Sequence, residues 1–170
     1  MVFFLKDDER TIQLHPSFFG PNIRNYLLDQ LHNDVEGTVQ DDYFVVCILD
    51  NSPEYSEGKV VPSSAFAEFT VHYRAVVWKP YKGEVVDGQV ASLDGNGFTV
   101  HIGPLEIYVS KTMIGHGLVY NGQATPPQWA DEDGSQILEK GSLVRLKLKG
   151  IRSEMGKMYA IALMKEDYLG

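Results

Sequence analysis

A single cysteine, Cys47, among 170 residues leaves no partner for an internal disulfide, and no Cys/His spacing of the zinc-binding kind accompanies it. No stretch approaches the roughly 18 to 20 consecutive apolar residues that cross a bilayer. The N-terminus, Met1-Val-Phe-Phe-Leu-Lys-Asp-Asp-Glu-Arg10, turns acidic after its apolar start, where a secretory leader would be basic and then apolar. The expectation is a soluble intracellular chain with no membrane attachment. Excess positive charge is missing too. A net charge of −8 excludes a protein that coats nucleic acid through bulk electrostatics. Phosphate-cradling glycine loops are absent in both their common forms, as is the Gly-x-Ser-x-Gly elbow of many hydrolases. Ser63, Ser64, His72 and Asp50 can be assembled on paper into a nucleophile, a base and an orienting group. His72, however, falls on the face of an alternating strand. The acidic pairs Asp41-Asp42 and Asp131/Asp133 fall in turns, where solvation explains them. Neither an active site, a metal nor a cofactor is expected.

What is present points to a packed protein: 44% hydrophobic, 11% aromatic and 22% charged residues are enough to bury a core. Charge is uneven along the chain. Residues 1–79 hold 6 Lys and Arg against 12 Asp and Glu, a net −6, whereas residues 80–170 hold 9 against 11, a net −2. Between 140 and 157 six bases are opposed only by Glu154, so this stretch is locally +5. Any nucleic-acid contact should therefore sit late in the chain and be modest in strength.

Two patterns of organisation follow one another. The first half reads as mixed α/β. Thr11–Leu14 alternates like a short strand, and Gly20-Pro21 opens a helix whose apolar stripe is Ile23, Leu27 and Leu31, stopped at Gly37. Tyr43–Leu49 is nearly continuous in apolar residues, as in a strand buried on both faces. Ala67–Val77 alternates strictly over eleven residues, with Phe69, Val71, Tyr73 and Ala75 on the inner face. Lys79-Pro80 marks a boundary, giving domains 1–79 and 80–170. Beyond it the pattern is all-β: Gly83–Ser92 with Gly88 as a bulge, a glycine turn at 94–97, Phe98–Ile102, Ile107–Ser110, Leu143–Gly150 and Met158–Met164. Phe98 alternates with Val100 and Ile102 and belongs to the core. The polar stretch from Gly115 to Ser135 reads as a long loop. Five short strands curved by glycines fit a small barrel of the OB type.

Gly83-Glu-Val-Val-Asp-Gly-Gln-Val90, Gly97-Phe-Thr-Val-His-Ile102 and Ile107-Tyr-Val-Ser110 resemble an S1 domain, the RNA-binding variant of the OB fold. The first half narrows the host. Leu14-His-Pro-Ser-Phe-Phe-Gly-Pro21, the run from Phe69 through Trp78-Lys-Pro-Tyr-Lys-Gly83 to Gly88, and Lys165-Glu-Asp-Tyr-Leu-Gly170 are similar to the family of the seventh-largest subunit of eukaryotic RNA polymerase II. Its archaeal E-subunit relatives and the equivalents in polymerases I and III are more distant. The resemblance spans essentially the whole chain. It implies an α+β protein: a truncated ribonucleoprotein-like N-terminal domain followed by a C-terminal five-stranded S1/OB barrel. It further implies a non-catalytic nuclear subunit that pairs with the fourth-largest subunit as a stalk, docks on the polymerase core at the clamp base, supports initiation and contacts emerging single-stranded RNA. A free-standing S1 RNA-binding protein and the equivalent stalk subunit of polymerase I or III stand as alternatives.

Alternation predicts which side chains could meet RNA. If Val100, Ile102, Ile107 and Val109 face inward, His101 and Tyr108 face outward, where S1 domains carry base-stacking rings. Stacking contributes roughly 1–3 kcal/mol per base. Lys111, Arg152 and Lys157 could hold phosphates, and the face carrying Arg145 and Lys147 could read RNA or pair with acidic groups. In the first half, His15, Pro16, Phe18, Phe19 and Gly20, together with Val60, Pro62 and Phe66, form the tip that the resemblance assigns to polymerase docking. The plainer reading of Phe18 and Phe19 is a hydrophobic staple entering the core.

Overall fold

The computed structural model describes residues 2–170 except 63, 116, 132, 133 and 135. Ser63 and Asp133, considered above, lie outside the described residues. The chain divides into two compact units, 2–79 and 80–170.

The first unit runs β1 (Phe3–Leu14), α1 (Ile23–Val35), β2 (Val39–Gln40), β3 (Tyr43–Ile48), β4 (Glu54–Tyr55), β5 (Lys59–Val60) and β6 (Ala67–Trp78). Its sheet has the order β1-β6-β3-β2, and β4 and β5 also pair with β6. The helical stripe Leu27, Leu31 and Val35 closes over one face, against Ile12, Val45, Ile48, Val71, Tyr73 and Val77. Gly37, at φ 71°, takes the left-handed conformation that ends a helix cheaply.

Two expectations change here. The first strand is not confined to 11–14 but pairs with β6 from Phe3 opposite Trp78 to Leu14 opposite Ala67. Its acidic run tolerates this because each carboxylate has a nitrogen-bearing side chain beside it: Asp7 accepts from Arg74 at 2.6 Å and 3.1 Å, Asp8 lies 3.5 Å from Lys6, and Glu9 lies 3.4 Å from the His72 ring. Strand β3 is not covered on both faces. Among the described residues one α-helix covers the sheet, and Val46, Cys47 and Leu49 stay exposed; the ladder to β6 is irregular between Val45 and Cys47.

The second unit contains β7 (Val85–Asp94), β8 (Gly97–Ile102), β9 (Leu105–Ser110), β10 (Val119–Asn121), β11 (Gln128–Ala130), β12 (Ile137–Glu139), β13 (Leu143–Glu154) and β14 (Lys157–Leu163). The strands β13-β14-β9-β8-β7 close into a barrel, filled by the inward residues of each strand. Among them Phe98, Val100, Ile107, Leu146 and Met158 are at most 1% exposed. Closure leaves these five strands without a free edge.

Gly88 is not the bulge. The register slips between Val90 and Ser92 instead. Gly88 is needed because a Cβ there would meet Val100 and come within 2.8 Å of the Ile102 Cγ1. The stretch from Gly115 to Ser135 is not a plain loop either. It contributes β10 and β11 to a three-stranded sheet, β10-β11-β12, in which Trp129 is wholly buried, 5.5 Å from the Tyr120 ring.

Candidate nucleic-acid interface

Antiparallel and parallel ladders place residues that share a face side by side, about 5 Å apart across strands. On the outside of the barrel this builds two rows. Glu106 of β9 pairs with His101 of β8 on one side and with Tyr159 of β14 on the other, and Tyr159 in turn pairs with Arg152 of β13. In the neighbouring row Tyr108 pairs with Thr99 and with Ile161, which pairs with Gly150. Tyr108 and Tyr159 are 36% and 37% exposed and Ile161 is 53% exposed. The face thus sets Tyr108, Tyr159 and Ile161 around the exposed Glu106 carboxylate, with Arg152 on one border.

The outward set follows from what fills the barrel. Met158, Ala160 and Ala162 point in, so Tyr159 and Ile161 must point out. Tyr159 and Ile161 join His101 and Tyr108 on this face, marked in the sequence by the same alternation. Tyr108 lies over the glycine that opens β8, its hydroxyl close to Gly97. Partial burial, with the nearby Asp94 carboxylate adding to it, holds the phenol above its ordinary pKa. It is neutral at physiological pH and carries no charge that would repel phosphate.

The basic candidates separate into two groups. Arg152 lies beside Tyr159, and Lys157 sits at the neighbouring hairpin, opposite Glu154. The turn between them, Met155-Gly156, has φ of 51° and 71°, the primed geometry that suits a tight hairpin. Lys111 is exposed just after β9, its backbone N–H donating to the Asn96 carbonyl at 2.7 Å. Arg145 and Lys147 are otherwise engaged. Arg145 donates to both oxygens of Asp87, at 2.6 Å and 3.1 Å, and Lys147 donates to Glu166 at 2.7 Å. Asp87 is held below the usual carboxylate range, chiefly by its hydrogen bonds from Arg145.

The tip candidates gather at one end of the first unit's sheet, because Leu14, ending β1, and Val60, in β5, both pair with Ala67. His15 caps a single 3-10 turn, Pro16–Phe18: its Nδ1 accepts from the Ser17 N–H at 3.2 Å. Its ring meets Phe66 edge-on at 5.5 Å, while the Val61 N–H donates to the Phe66 carbonyl at 2.9 Å and closes the second loop. Pro16, Gly20 and Pro62 are exposed. Phe18 and Phe19 are 44% and 43% exposed and Val60 is 65% exposed, so the two phenylalanines do not enter the core. The Phe18 ring lies 5.1 Å from that of Tyr26, itself exposed.

Sequence comparison agrees with both halves. Residues 9–65 match the family model described as the SHS2 domain found in N terminus of Rpb7p/Rpc25p/MJ0397, and residues 79–159 match the S1 RNA binding domain. The DNA-directed RNA polymerase II subunit rpb7 of Schizosaccharomyces pombe is 48% identical over 172 residues, covering 100% of this chain and 99% of that one. The RPB7 subunit of Saccharomyces cerevisiae is 40% identical, with 99% of each chain covered. The archaeal subunit Rpo7 of Sulfolobus acidocaldarius is 25% identical over 99% of this chain and 92% of its own. At this identity and coverage, the chain belongs to the Rpb7 family of DNA-directed RNA polymerase II subunits.

Proposed function

We propose that this chain works in the nucleus as a non-catalytic subunit of RNA polymerase II: it pairs with the fourth-largest subunit as a stalk, supports initiation, and holds emerging single-stranded RNA on the outer face of its barrel. The observation that carries the RNA assignment is the pair of in-register rows. They expose Tyr108, Tyr159 and Ile161 together, with Arg152 alongside. Rings of this kind stack on any base, and a few nearby cations suit a modest, sequence-tolerant affinity. The chain's acidity limits non-specific adhesion to duplex nucleic acid. Within the basic set, Arg152, Lys157 and Lys111 are the phosphate contacts, and His101 borders the stacking face. Arg145 and Lys147 reach phosphate only by leaving Asp87 and Glu166.

The first unit supplies docking. His15 and Phe66 brace one another, which fixes the two loops so that Phe18, Phe19 and Val60 face outward with Pro16, Gly20 and Pro62. An apolar cluster held out in this way marks a protein contact, and the polymerase core at the clamp base is its partner. Titrating the chain into a labelled single-stranded RNA oligomer at several salt concentrations tests the RNA assignment. Binding should be saturable and weaken with salt at a slope matching two or three phosphates, about 0.7 log units per phosphate. A chain that binds no RNA in low salt would overturn it.

A further inference from the structure

Glu106 stands in the middle of the stacking face, between His101 and Tyr159, exposed, and without a hydrogen bond or ion pair among the described residues. A bare carboxylate here is anomalous for a surface that meets a polyanion. Glu139, Glu154 and Asp167 are likewise exposed without a side-chain partner among the described residues, but none of them lies between two rings, whereas three acids that flank the barrel strands are occupied. Asp94 accepts from the Asn96 and Gly97 N–H groups at 2.7 Å and 2.8 Å, Asp87 is gripped by Arg145, and Glu166 by Lys147. Nothing in the fold needs Glu106: its neighbours Leu105 and Ile107 supply the packing of β9.

We propose that Glu106 is a specificity-determining residue that selects guanine among the bases stacked on Tyr159 and Tyr108, an inference that rests on the single-stranded RNA reading above. An ionised carboxylate only accepts hydrogen bonds, and offers two oxygens side by side. Of the four RNA bases, guanine alone presents two parallel donors on its Watson–Crick edge, N1–H and the N2 amino group, and so matches both oxygens. Adenine and cytosine each present one amino group beside a ring acceptor that faces the carboxylate unfavourably. Uracil presents N3–H between two carbonyl oxygens, which the carboxylate repels. A base lying on Tyr159 has its edge within one strand spacing, about 5 Å, of the Glu106 column. Phosphates are kept off Glu106 by its charge and drawn to Arg152, on the far side of Tyr159. A nucleotide held this way turns its base edge toward β9 and its backbone toward β13.

The test compares a uridine oligomer with the same oligomer carrying one central guanosine, by fluorescence anisotropy with the full-length chain. The guanosine oligomer should bind about ten-fold tighter, the discrimination of one good bidentate pair. Glu106→Ala and Glu106→Gln should bring that ratio to about one while both oligomers still bind. A ratio of about one in the unaltered chain, or a preference that survives Glu106→Ala, overturns the proposal and leaves the RNA reading standing. If neither oligomer binds the unaltered chain, the RNA reading falls and the role of Glu106 with it.

Discussion

Arg145 grips Asp87 across the β13–β7 seam, its Nε and one terminal nitrogen reaching the two carboxylate oxygens at 2.6 Å and 3.1 Å. Both side chains are more than half exposed, so the pair contributes little to stability, but it sets two other properties. It neutralises a cation that could otherwise take a phosphate, and it depresses the Asp87 pKa through hydrogen bonding. A group whose folded pKa is lowered stabilises the fold fully above its unfolded pKa, and that contribution is lost as pH falls through the folded one. Carbon-detected NMR titration should therefore place the Asp87 midpoint below the ordinary carboxylate range, and Arg145→Ala should bring it back up. Arg145→Ala should also change the salt slope of RNA binding little, whereas Arg152→Ala should reduce it by the value of one phosphate.

Tyr108 and Tyr159 should act together. Replacing either by alanine removes one stacking surface and should weaken single-stranded RNA binding by about 1–3 kcal/mol. Because the two occupy adjacent rows, the double variant should show measurable coupling. Anisotropy titrations of the two single variants and the double variant, each checked for an unchanged circular-dichroism spectrum, decide this. Loss of affinity from Arg145→Ala but from neither tyrosine would move the site to the other side of the barrel.

Much of this was legible in the amino-acid pattern, and the physical reason is alternation. The strands β6, β8, β9 and β13 each bury one side of a period of two, so Val71, Phe98, Ile107 and Leu146 declared the core. The outward positions of His101, Tyr108 and Arg145 followed. What alternation cannot show is pairing. Nothing local in Asp87 says that it lies opposite Arg145, because 58 residues separate them, and Glu106 acquires meaning only once Tyr159 is placed beside it. The β10–β12 sheet was invisible for another reason. Its strands are three residues each, too short to show a period, and Gly122, Pro126 and Pro127 between the first two mimic a loop. The acidic run of β1 hid a strand for want of its partners on β6.

Trp129 anchors that small sheet. It is 0% exposed, and its indole N–H has no hydrogen-bond partner among the described residues. Trp129→Ala should cost about 3–5 kcal/mol, read by chemical denaturation. Trp129→Phe keeps most of the ring and removes the unpaired donor, so it should cost less than the alanine variant. Equal losses for the two would mean that the N–H is satisfied in solution.

Phe18 and Phe19 are the apolar centre of the docking tip. Phe18→Ala with Phe19→Ala should leave the thermal unfolding midpoint of the first unit within about 4–8 °C, since both rings are nearly half exposed and a 1 kcal/mol change shifts a domain of this size by no more than that. The same double variant should lose most of its co-purification with the polymerase. A drop in the unfolding midpoint well beyond this range would return the two rings to a structural role.

The most direct measurement is affinity purification of the tagged, full-length chain from nuclear extract, with the captured proteins identified by mass spectrometry. Recovery of the fourth-largest subunit together with the two largest subunits of RNA polymerase II is the predicted result. Recovery of RNA with translation or decay factors, and no polymerase subunit, would contradict the stalk assignment and leave a free-standing S1 RNA-binding protein in its place.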